Sequence, residues 1–126
     1  MPSSIQEELR AALGANPALM ALVGDRIYPG EIPDDEDPTP WLYYVVPESV
    51  PFDALDGPTD VRSEVEFHAL ADTYATAKAV IDAVLAVVEG YTGTVLKRAF
   101  WDGTSEETTE DGYHHVVRMT VWWVKS

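Results

Sequence analysis

The chain contains no cysteine. Disulfides, thiolate metal sites and cysteine nucleophiles are therefore excluded, and a reducing compartment suits it. Bases are also scarce. Eight Lys and Arg stand against 22 Asp and Glu, a formal net charge of −14. Phosphate-based nucleic-acid binding needs a broad basic surface to release the counterions condensed on the nucleic acid, which this composition cannot supply, and anionic membrane surfaces are disfavoured for the same reason. Long apolar runs are missing too. The most apolar stretch, AVIDAVLAVV at 79–88, is interrupted by Asp82 and is too short to span a bilayer. The N-terminal MPSSIQEELRAALG lacks the basic and apolar regions of a signal peptide. The expectation is a soluble protein.

Familiar catalytic signatures are absent as well. There is no G-x-S-x-G, no P-loop and no G-x-G-x-x-G. Of three histidines, His114 and His115 are neighbours, so on a strand they point to opposite faces and cannot share one metal without a bulge. The acidic runs DDED (34–37) and SEETTED (105–111) lack the spaced oxygen ligands and turn glycine of an EF-hand loop and read as solvated segments. No catalytic residue, cofactor or metal is expected, and the protein is not expected to be an enzyme.

What remains is the material of one ordinary domain: 126 residues, 46% hydrophobic and 24% charged. Ser4 and Glu7 match a capping box, followed by Ile5, Leu9, Ala12 and Leu13 on one helical face and a stop at Gly14. Asn16-Pro17 opens a second, short helix that ends at Gly24. WLYYVV (41–46) reads as a strand ended by Pro47. In VRSEVEFHALA (61–71), Val61, Ser63, Val65, Phe67 and Ala69 alternate with Arg62, Glu64, Glu66 and His68. Such alternation implies an antiparallel sheet covered on one face. A third helix starts at an Asp72 or Thr73 cap, with a stripe of Tyr74, Ala77, Ile81, Val84, Leu85 and Val88. Two strands follow at 94–101 and 113–124; in the second, Tyr113, His115, Val117, Met119, Val121 and Trp123 share a side. The predicted fold is α+β: an antiparallel four-stranded sheet with helices packed on one face, in the order α-α-β-β-α-β-β. It forms a single domain over 1–126, with mobile loops near 29–40, 47–60 and 102–112.

Two groups of residues stand out. Trp41, Trp101, Trp122 and Trp123 are candidate interface residues, because exposed aromatics are enriched where proteins meet; the alternative is a small core on the second face of the sheet. Gly24, Asp25, Arg26 and Tyr28, within LVGDRIYP, form a structural corner between the second helix and an extended apolar anchor.

The order of parts resembles the tail-completion (tail-terminator, head–tail joining) proteins of long-tailed bacteriophages and related prophages. The carrying stretches are NPALMALVGDRIYPGEIP, PWLYYVV, EVEFHALADTYATAKAVIDAV and HHVVRMTVWWV, over roughly 5–124, with LVGDRIYP the most distinctive. The acidic segment 31–37 does not map onto a feature of that family. The resemblance implies a structural virion protein with no catalytic residues. It implies a homo-oligomeric ring, usually a hexamer, that caps the tail tube and meets the head–tail connector. Partners would be the tube protein, the connector and further copies of itself. DNA would pass through without specific binding, and no membrane would be involved. The place would be the virion tail or neck, after assembly in the host cytoplasm. Two other classes fit the composition: an acidic inhibitor or DNA mimic that occupies a basic nucleic-acid-handling enzyme, and a small ligand-binding module or enzyme with a deep apolar pocket.

Overall fold

A computed structural model describes residues 5–24, 26–29, 40–52, 59–89, 91, 96–109 and 112–125. Three helices, α1 (Ile5–Gly14), α2 (Pro17–Val23) and α3 (Tyr74–Glu89), accompany five strands. The strands are β1 (Ile27–Pro29), β2 (Trp41–Phe52), β3 (Thr59–Ala71), β4 (Leu96–Thr109) and β5 (Gly112–Lys125). They form one sheet in the order β1-β2-β3-β5-β4. The α+β class and the helix-covered face agree with expectation; the strand count and the lengths do not.

The fifth strand is Ile27–Pro29, which pairs with Leu42–Tyr44 in parallel. Three residues carry no readable alternation, so this strand is visible only through its partner. Parallel pairing requires a long connection rather than a tight hairpin turn. The expected mobile loop at 29–40 otherwise lies outside the described residues.

Proline 47 does not end β2. The register shifts between Val45 and Glu48, and pairing with β3 then resumes as far as Phe52. Beyond Tyr44 the short β1 no longer flanks β2, so Pro47 and Pro51 fall on an edge, where a missing N–H is tolerated. Within the presumed loop at 47–60, residues 47–52 and 59–60 are strand, and 53–58 lie outside the described residues. Likewise 102–112 is mostly strand. The hairpin partners run from Leu96↔Trp123 to Thr109↔Gly112, with shifts at Lys97 and Asp102. The polar residues of this stretch are held by ladder bonds to β5 rather than by burial of their own.

The alternation in β3 and β5 is realised as read. Val65, Phe67 and Ala69 of β3 stand opposite Met119, Val117 and His115 of β5, all buried. Over them lie Val80, Ile81, Val84 and Val88 of α3, Leu9 and Leu13 of α1, and Leu19 and Val23 of α2. Each such side chain contributes about 1.5–3 kcal/mol by leaving water. Val80 joins the expected α3 stripe, whereas Tyr74 stays 44% exposed. Thr73 caps α3: its Oγ1 accepts the Thr76 N–H at 3.2 Å. Asn16 does the same for α2, accepting from the Leu19 N–H at 2.9 Å. The capping pair suggested for α1 rests on Ser4, outside the described residues.

Candidate functional site

The corner after α2 is built from backbone constraints. Gly24 has φ 57° and ψ −127°, and its N–H donates to the Met20 carbonyl. This is not the left-handed helical conformation expected of a helix-ending glycine, but its positive φ still favours a residue without Cβ. Asp25 lies outside the described residues. Arg26 donates from Nε to the Pro40 carbonyl at 3.0 Å and from Nη2 to the Leu22 carbonyl at 3.4 Å. Its own carbonyl accepts the Leu42 N–H at 3.0 Å. One guanidinium therefore ties the end of α2 to the point where the chain returns into β2, closing the base of the 27–40 excursion. Tyr28, beside Tyr43 in the parallel register, completes this corner.

Helices cover one face of the sheet; the other carries the even-numbered residues of β3 and β5. At one end of this uncovered face, Tyr43 stacks on His68 with ring centroids 4.4 Å apart. His68 Nδ1 lies 2.9 Å from His114 Nε2, and His68 Nε2 lies 3.0 Å from Glu66 Oε1. Burial, and then the adjacent His68, push the His114 imidazole below its ordinary pKa, while Glu107 opposes the shift. Burial and Glu66 raise the Tyr43 phenol. Arg118 continues the network, reaching Glu66 at 3.9 Å and donating to Ser105 Oγ at 3.0 Å. The sequence separates the two histidines by 46 residues, and only the β3–β5 register brings them together. Among the described residues no group of three or more potential metal ligands forms.

At the other end the chemistry changes. Arg62 of β3 pairs with Trp122 of β5, and Trp122 pairs with Arg98 of β4. The Arg98 guanidinium sits 5.0 Å from the Phe100 ring centroid, a cation–π contact. Lys97, Arg98, Phe100, Trp122, Trp123 and Val124 line a cavity of about 390 Å³.

The four tryptophans do not share one surface. Trp41 begins β2 and is only 5% exposed, which leaves it little area to offer a partner. Trp123 turns to the helix side, packs against the core and donates from Nε1 to the buried Ser63 Oγ at 2.8 Å. Trp122 is half-buried on the uncovered face. Trp101 was expected at a strand end but lies well inside β4, since that strand continues to Thr109. It is 52% exposed, and its neighbour Phe100 is 42% exposed. Phe100, which sequence reasoning overlooked, therefore joins Trp101 and Trp122 on the hairpin.

His115 is buried, as its face predicts. The Tyr74 ring meets it edge-on at 5.0 Å, and the Tyr74 hydroxyl donates to both Glu106 oxygens at 2.9 Å. That hydrogen bond raises the Tyr74 pKa.

No curated protein matches the chain by sequence. Among solved structures, a chain from the "virion of native gene transfer agent (GTA) particle" is similar in fold, with TM-score 0.73 and 21% identity over 96% of this chain and 95% of that one. Such identity speaks for the fold alone. The family model described as "Tail completion protein gp17" matches residues 7–124. With nearly the whole chain inside that match and the expected helix-covered sheet beneath it, this protein belongs to the gp17 tail completion family.

Proposed function

We propose that this protein caps the tail tube of a phage or phage-like particle as a homo-oligomeric ring and joins the tube to the head–tail connector. The family match across residues 7–124 carries this reading, and it favours a structural role over the inhibitor or DNA-mimic alternative. The fold shared with a chain of a gene transfer agent virion supports it. The protein acts by assembly and not by catalysis, as one 126-residue domain located in the virion tail or neck. Self-association uses the β4–β5 hairpin, whose exposed Phe100 and Trp101 lie on the last strand of the sheet. Among the described residues β4 has no outer neighbour, and such an edge with aromatic side chains is suited to a partner. The excess of acid faces the DNA path, so the wall repels phosphate.

Light scattering of the full chain, alone and with tube protein, tests the ring. Electron microscopy of tubes grown with and without it tests the cap. A closed oligomer and blunt tubes of limited length are expected. Trp101→Ser should weaken the oligomer while leaving the circular dichroism spectrum unchanged. A chain that stays monomeric even with tube protein, and leaves tube length unchanged, would overturn the proposal.

A further inference from the structure

Charge is segregated along this chain. Residues 27–61 hold nine acids and no base, five of those acids being Glu31, Asp34, Asp35, Glu36 and Asp37. The opposite charge collects on the uncovered sheet face, where Arg62 and Arg98 flank Trp122 in three-strand register, with Lys97 and Phe100 beside them. Neither Arg62 nor Arg98 forms an ion pair with a described residue. The face turns acidic again at Glu64 and Asp102, so the cationic patch is bounded.

The patch lies at the other end of the sheet from Pro29 and Pro40, the described residues on either side of the acidic segment. Segment 31–37 leaves from Pro29, in register with Tyr44 and Phe67, and returns at Pro40, which the Arg26 clamp holds. Arg98 stands four strands across from β1 and five register positions along. A path from Pro29 to Arg98 and back to Pro40 measures roughly 60 Å at ordinary strand spacings. The chain between the two prolines spans at most about 40 Å when fully extended. The backbone of the acidic segment therefore falls short of Arg98 in its own molecule.

We infer that this patch is the seat for the acidic segment 31–37 of a second copy of the chain. The inference deepens the proposed self-association and rests on it. Two complementary surfaces at different places on one molecule make a heterologous, head-to-tail contact, which closes into a ring when the rotation permits. The partner chemistry follows from the residues. The segment's carboxylates meet two guanidiniums, which bind such groups through paired N–H donors. Its flanking prolines suit an aromatic groove such as that of Trp122 and Phe100. Pairing opposite charge at the contact also offsets the repulsion between two molecules that each carry −14.

A synthetic peptide of residues 29–40, titrated into the full chain with tryptophan fluorescence as the readout, tests the contact apart from the ring. Binding should weaken about tenfold or more in Arg98→Glu or Arg62→Glu, and again as salt rises. Both arginines are exposed, so these variants should keep the parent fold. A control with Asn and Gln in place of the peptide's acids leaves the protein unaltered and should bind at least tenfold more weakly. Equal binding by the neutral peptide, no effect of either arginine variant, or a DNA oligonucleotide that displaces the acidic peptide at equal concentration would overturn the inference. Assembly separates the two levels. Oligomers indifferent to both arginine variants would leave the ring standing and remove this contact. Charge-dependent peptide binding by a strictly monomeric chain would uphold the contact and remove the ring.

Discussion

Glu8 Oε1 accepts the backbone N–H of Leu96 at 2.8 Å, across 88 residues of sequence. Both residues are buried, Glu8 to 1% exposure and Leu96 completely. A carboxylate from the first turn of α1 thereby anchors the start of β4, the strand whose sequence begins the cationic patch. Hydrogen bonds to charged groups contribute about 1.5–3 kcal/mol, and a buried N–H without a partner is costly. Glu8→Ala should lower unfolding free energy by about 2–3 kcal/mol, measured by urea denaturation. Glu8→Gln keeps an acceptor and should lose less. An unchanged urea midpoint in the Ala variant would show that the bond contributes nothing.

Arg26→Ala should remove both bonds that close the corner, to Pro40 and to Leu22. A loss of about 1–2 kcal/mol is expected. Arg26→Lys should recover only part of it, because one ammonium cannot reproduce the planar fork. Full recovery by lysine would mean that charge, not geometry, holds the corner. If segment 31–37 seats on a neighbouring molecule, Arg26→Ala should also weaken the oligomer, because the base of that segment would be released.

Gly112 sits at φ 144°, where a Cβ would meet the Ala71 carbonyl oxygen at 2.3 Å. That oxygen belongs to backbone and cannot swing away. Gly112→Ala should cost roughly 1–3 kcal/mol, read as a lowered midpoint in thermal unfolding. Gly103 makes the contrast: its φ of 159° also disfavours an L side chain, but nothing lies within 4 Å of an added Cβ. Gly103→Ala should therefore cost less than Gly112→Ala, the clash being absent. Equal losses at the two positions would contradict the close-approach explanation.

His114 should give stability a pH dependence of definite sign. Burial and His68 lower its folded pKa, against Glu107, while His115 adds a smaller push downward. The unfolded chain, with an ordinary value near ~6.5, then binds more protons than the folded protein just below that pH. Stability is complete above the unfolded value and falls as pH drops below it toward the folded value. Thermal midpoints from pH 7.5 to 5 should fall less steeply in His114→Gln than in the parent. Parallel slopes would show that His114 does not carry this linkage.

The amino-acid pattern by itself determined the two-faced sheet and the helices that cover it. Alternation at 61–71 and 113–124 and the stripe through α3 express single-element periodicities, and burying an apolar face admits few other arrangements. Caps at Asn16 and Thr73 were legible because they act within a few residues. The rest required partners distant in sequence. The three residues of β1 become a strand only beside β2. Pro47 is tolerated only because β1 stops short of it. The polar run 102–109 is strand because β5 offers its ladder, and propensity cannot report that. The same holds for function. Trp41, Trp122 and Trp123 are alike in the sequence, yet one is buried at the start of β2, one lies between two arginines on the uncovered face, and one bonds Ser63 against the core. Composition set the excess of acid. Tertiary register decided where the few bases meet, because residues from β3, β4 and β5 become neighbours only when those three strands are aligned.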